Sequence, residues 1–146
     1  MFFSRSKPQA DDPFFVWSDA EHSVGISRFD EEHKRLASML NHVHAVLVKQ
    51  RDRTQAIQLM ERLIQETRDH FMSEERALQE SGFGELEAHL KEHSALLQEA
   101  EDLVKRFKGG GVSALALPTF LKSWLISHIK GSDRKYAACL RRGGIR

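Results

Sequence analysis

Apolar positions recur every three or four residues through four long stretches of the chain, and no stretch of useful length alternates with the two-residue period of a strand. The pattern predicts an all-helical protein. A first helix is expected to start after Asp30, a good N-cap residue, and to bury Leu36, Leu40, Val43 and Leu47 before the polar run from Lys49 to Arg53 ends it. The second should run from about Thr54 to Glu80, with Ile57, Met60, Leu63 and Ile64 inside and Ser81-Gly82 as its stop. The third follows Gly84 and reaches about Phe107, with Leu86, Leu90, Leu96, Leu97 and Val104 on its core side; the glycines at 109–111 cannot continue it. The fourth begins near Ser113 or at Pro118 and carries Phe120, Leu121, Trp124, Leu125 and Ile129. Short connections between long helices favour antiparallel neighbours, so the expected architecture is an up-down-up-down four-helix bundle preceded by an N-terminal loop arm.

With 146 residues, 40% of them hydrophobic, the chain has enough material for one buried core and is expected to be a single domain. Within it, 1–13 reads as a flexible leader, 14–140 as the bundle and 141–146 as a tail. Lys and Arg number 22 against 21 Asp and Glu, so no single-sign field is available to attract nucleic acid or an anionic membrane. Neither a signal peptide nor a membrane span is expected, because Phe2 and Phe3 are followed at once by charges and prolines and no apolar run is long enough. The single cysteine, Cys139, fits a reducing compartment, and a cytoplasmic location is the expectation. Phe2-Phe3 and the tail arginines Arg141, Arg142 and Arg146 read as frayed, solvated ends.

The eight histidines carry the chemistry. Residues four apart on a helix share a face about 6 Å from one another along the axis. His70 and Glu74 have this spacing on the second helix, and His89 and His93 on the third. His33 is in line with Leu36 and Leu40, and His128 with Leu121, Trp124 and Leu125. Height gives a separate check: His33 lies about 19 residues before a turn centred near Asp52 and His70 about 18 after it, and similar counts across the other turns bring all four helices to one level. Asp133 follows His128 by five residues, which on a regular helix swings it off that face; Gly131 and Ser132 would permit a distortion that brings it back. Clustered buried imidazoles without partners are unfavourable, and a metal resolves that cost. Five nitrogen donors are too many for one tetrahedral zinc, and two carboxylates able to bridge suggest a pair of octahedral-type first-row ions, with iron favoured on ligand type.

These residues form a recognisable set: Trp17 with Ser23-Val24-Gly25-Ile26, Asp30-x-x-His33, His70-Phe71-x-x-Glu74, His89-x-x-x-His93, and Trp124-Leu125-x-x-His128-x-x-x-x-Asp133. Over about residues 17–133 the chain resembles the hemerythrin family, in particular its single-domain bacterial members. The resemblance implies two non-haem iron ions, one on His89, His93 and His128 and the other on His33 and His70, bridged by Glu74, Asp133 and an oxo or hydroxo group. It implies an open position on the second iron for reversible binding of dioxygen, and a pocket walled by Leu125, Trp124 and Phe71. An oxygen carrier, store or donor to a protein partner follows, with no enzymatic turnover.

Three rival readings and three histidines remain. His89-Leu90-Lys91-Glu92-His93 also reads as the H-x-x-E-H zinc site of a peptidase, but that leaves His33, His70 and His128 without a role. A di-iron oxidase, peroxidase or nitric oxide-processing protein would use Glu-x-x-His pairs, of which this chain has none. A sensor of oxygen or nitric oxide would need a partner surface that no motif supplies. Outside the set, His22 is expected to be a solvent-exposed loop residue, His42 a surface residue and His44 a hydrogen-bonded core residue.

Overall fold

A computed structural model describes residues 14–146. The leader 1–13, with Phe2 and Phe3, lies outside the described residues. The elements are α1 (Asp19–His22), α2 (Ser27–Ala45) running into a π-helical turn (Val46–Gln50), α3 (Arg53–Glu80), α4 (Leu86–Lys108), α5 (Ala116–His128) running through a second π-helical turn (Ile129–Asp133), and α6 (Arg134–Arg142). Helices α2, α3, α4 and α5 pack in cyclic order, each against its sequence neighbour and α5 against α2, to close an antiparallel four-helix bundle. No strand occurs among the described residues, and no described helix is long and apolar enough to cross a membrane.

The turns follow from local chemistry. Arg51 takes a left-handed conformation (φ 52°) that stops the first π turn, and the Asp52 side chain then caps α3 by accepting from the Gln55 N–H at 3.0 Å. Gly82, at φ +68°, ends α3 where a side chain would be strained. Leu36, Leu40, Val43, Met60, Leu63, Leu96, Val104, Leu121 and Ile129 form the buried core as their spacing predicts.

Asp30 is not the N-cap of its helix. α2 starts at Ser27, and Asp30 sits in its first turn, accepting from Ser23 Oγ at 2.5 Å and from the Val24 N–H at 2.8 Å. Its carboxylate therefore fastens the arm that precedes the helix. That arm runs across α2, α5 and α6. Asn41 pairs with both backbone groups of Phe15, Lys122 donates to Phe14 O, Arg134 donates to Glu21 O at 2.5 Å, and Arg141 donates to Val24 O at 3.2 Å. Gly25, at φ +78°, lies where the Arg141 guanidinium would collide with any Cβ. α6 reaches Arg142, so Arg141 is held in place.

The arm also overturns two histidine expectations. His22 is buried at 4% exposure between the tilted rings of Phe15 and Trp17, with its Nδ1 accepting from the Ser18 N–H at 3.0 Å. Burial, with Lys130 and Arg134 nearby, lowers its pKa despite the opposing Glu21. His44 is half-buried and stacks on Phe14, ring centroids 4.3 Å apart, in place of the core hydrogen bond expected of it. His42 is exposed as predicted.

Asp30→Ala should strip two hydrogen bonds from the arm and lower unfolding stability by about 1–3 kcal/mol. Urea titration measures this; a variant as stable as the parent would show that the arm is held without Asp30.

Candidate metal centre

Toward the end of the bundle where α3 turns into α4, polar side chains replace the hydrophobic core. His33 comes from α2, His70 and Glu74 from α3, His89 and His93 from α4, His128 from the end of α5 and Asp133 from the π turn that follows it. All seven are buried, Glu74 and Asp133 at 0% exposure. The structure thus brings together every residue the sequence singled out for the site. Asp133 arrives by the route that its five-residue spacing required: the π turn Ile129–Asp133 closes i to i+5, which restores the carboxylate to the His128 face. The turn does not need Gly131 for space, since a Cβ there would meet nothing within 4 Å.

The five imidazoles converge through Nε2. Glu74 Oε1 lies 2.8 Å from His70 Nε2 and 3.2 Å from His33 Nε2, while its Oε2 lies 3.3 Å from His93 Nε2 and 3.4 Å from His89 Nε2. Asp133 repeats the division: Oδ1 is 2.9 Å from His128 Nε2 and 3.4 Å from His89 Nε2, and Oδ2 is 3.3 Å from His33 Nε2. Two groups of donor atoms suited to a cation result, one of Glu74, His89, His93, His128 and Asp133 and one of His33, His70 and Glu74. His93 and His128 turn their Nε2 atoms toward each other at 3.1 Å, and neither Asp133 oxygen receives a directed hydrogen bond. Ring nitrogens facing one another and a buried carboxylate without a donor are what a bound cation would satisfy. The donor set fits a pair of first-row ions.

Four further residues were missed by the sequence reading. Tyr136 of α6, fully buried, donates to Glu74 Oε1 at 2.9 Å. Glu32, Glu75 and Glu92 lie outside the cluster, at 2.7 Å from His70 Nδ1, 3.0 Å from His93 Nδ1 and 2.8 Å from His128 Nδ1. The available signal was adjacency, since each glutamate is the sequence neighbour of a cluster residue: Glu32 of His33, Glu75 of Glu74, Glu92 of His93. The pocket wall is placed as expected, with Phe71 stacked on His93 at 3.6 Å and Trp124 on His128 at 4.2 Å. With Leu125 these rings border a small, nearly wholly apolar cavity that continues between Leu36, Leu63, Leu96 and Leu121.

Without metal, the cluster is a set of mutually held charges. Burial pulls His70 down, but the Glu74 carboxylate beside it, aided by Glu32, pushes it up to about 10. His33 and His128 are also raised against burial, by Asp133 with Glu74. Burial pushes Glu74 up, yet His70 and the hydrogen bonds from its histidines hold it well below the usual 4.5. Burial and the Asp133 and Glu74 charges raise Tyr136 well above its ordinary value, so its hydroxyl remains a donor.

A raised histidine adds stability that is complete below its unfolded value of 6.5 and is lost as pH climbs through about 10; a lowered carboxylate adds stability that is complete above 4.5 and is lost as pH falls. The stability difference between the metal-free parent and its His70→Asn variant should therefore be largest between pH 4.5 and 6.5 and shrink toward pH 10. Melting temperatures across that range test it, and a difference that grows above pH 6.5 would contradict it.

The pattern of the hemerythrin HHE cation binding domain matches residues 24–140. Among named relatives, the bacteriohemerythrin of Stenotrophomonas maltophilia is 31% identical over 84% of this chain and 78% of its own length. That of Methylococcus capsulatus is 31% identical over 86% and 95%, and a hemerythrin-like protein of Naegleria gruberi 32% identical over 86% and 93%. A crystal structure of wild-type hemerythrin superposes with a TM-score of 0.80 at 30% identity, over 87% of this chain and 98% of that one. The matched span contains all seven clustered residues, and the chain belongs to the hemerythrin HHE cation binding family.

Proposed function

We propose that the protein binds dioxygen reversibly at a non-haem di-iron centre and acts as an oxygen carrier, store or donor, without enzymatic turnover. The observation that carries this reading is the division of both buried carboxylates: each sets one oxygen toward His33 and the other toward the His89 group. Such carboxylates would bridge two ions. His89, His93 and His128 with one oxygen from each bridge give five protein donors to one ion; His33 and His70 with the other two oxygens give four to its neighbour. The poorer half supports an open position beside His33 and His70.

When bound, two ferrous ions would supply the two electrons that reversible dioxygen binding draws upon. The protein's part is to hold the donors and keep water away. Tyr136 orients Glu74 by donating to the oxygen on the poorer half. Phe71, Trp124 and Leu125 set apolar surface against the cluster, and the cavity they border has no strong partner for water, so it favours a small apolar gas. Carboxylates are few, and histidine-rich coordination suits binding better than the build-up of high-valent iron. The same reading makes the oxygen available to a protein partner in the cytoplasm.

The protein reduced and loaded with iron under anaerobic conditions should take up two iron ions per chain. It should develop a visible charge-transfer band in air and lose that band on deoxygenation. His70→Ala and His93→Ala should each lower iron content. Steady oxygen consumption in the presence of reductant, with no reversible band, would replace the carrier with an oxidase.

A further inference from the structure

A histidine that offers Nε2 to a metal leaves its Nδ1–H to the protein, and the group that accepts it sets the tilt of the ring and its strength as a donor. At three of the five rings this acceptor is a glutamate, and the arrangement has a direction. Glu32 of α2 takes His70 of α3, Glu75 of α3 takes His93 of α4, and Glu92 of α4 takes His128 of α5. In every pair the carboxylate stands on the earlier helix and the ring on the next, so three of the four interfaces of the bundle are each stitched at the level of the cluster. At the fourth, between α5 and α2, His33 Nδ1 is buried with no partner.

Glu92 differs from the other two in what else it holds. Its Oε2 accepts from His128 Nδ1 at 2.8 Å and from Ser132 Oγ at 2.6 Å. Ser132 lies inside the π turn, immediately before Asp133. One oxygen on α4 thus grips both the ring of one cluster residue and the turn that delivers another. Glu32 repeats the theme more weakly, since Ser73, 3.4 Å away, belongs to the uninterrupted helix α3 and has no turn to hold.

On the reading of the cluster as a two-metal centre, we propose that Glu92 is a positioning residue for it, fixing His128 directly and Asp133 through Ser132. Two separable effects follow. As a carboxylate hydrogen-bonded to the ring, Glu92 strengthens His128 as a donor and favours the more oxidised ion. As a clamp on the π turn, it holds the Asp133 bridge in reach of both groups of histidines.

Co2+ serves as the probe ion for affinity, and the midpoint potential of the iron-loaded protein as the second readout. The side chain of Glu92 is 46% exposed, so Glu92→Gln should fold, keep its helicity and still bind one Co2+ as the parent does. For the other ion its affinity should fall about 10–100-fold, and the midpoint potential of its iron should rise. Ser132→Ala removes the clamp but leaves the charge on His128, so it should weaken Co2+ binding with a smaller change in potential. Glu87→Gln, on the exposed face of the same helix, should change neither. If the parent binds two Co2+ and Glu92→Gln matches it in affinity and potential, the proposal is overturned while the two-metal reading stands. The proposal falls equally if Glu92→Gln changes only the melting temperature of the metal-free protein. A parent that binds fewer than two ions overturns both.

Discussion

Two carboxylates at 0% exposure, surrounded by imidazoles, are the constraint around which this bundle is organised. Taking one such charge out of water has an effective penalty of several kcal/mol, and attraction to neighbouring histidines offsets it only when geometry is tight. The four helices must therefore reach the same height with the same faces inward. The second π-helical turn, which brings Asp133 to the His128 face, is the adjustment by which a chain of regular helices meets that demand.

The surroundings of the cluster are graded. Inside, Nε2 atoms and carboxylate oxygens face one another; outside, glutamates receive the opposite ring nitrogens of three histidines. Along the flank, Phe71 and Trp124 lay their faces on His93 and His128 and turn the neighbourhood apolar within one ring's width. A polar heart bordered by a largely apolar cavity is chemically unequal on its two sides, and that inequality is what would let a small uncharged molecule approach while water is disfavoured.

Most of this was legible because helical periodicity reports face and chain distance from a turn reports height. Together they located six residues on four helices, while Asp133, five after His128, needed a break in the regular period. What escaped is non-local or out of phase. Asp30 reads equally well as a cap or as a first-turn acid, and only the returning arm shows that its carboxylate is occupied by Ser23 and Val24. His22 and His44 have aromatic neighbours from an arm with no periodicity to place it. The outer glutamates sit off the apolar stripe of their own helices and find their partners on the next one. Tyr136 lies beyond the second π turn, where counting from α5 no longer predicts direction.

That turn has a consequence for how the chain can vary. It inserts the equivalent of one residue into an otherwise continuous rod, so everything after it is turned by about 100° from where an unbroken α-helix would set it. Asp133 and Tyr136, three residues apart, are carried inward by the same rotation and both contact the cluster. The same residues wound as an unbroken α-helix would swing acid and phenol off the cluster together, because five residues of regular helix do not return to the His128 face. Asp133 and Tyr136 therefore depend on one helix phase, set by the backbone of the turn before either side chain makes its contact.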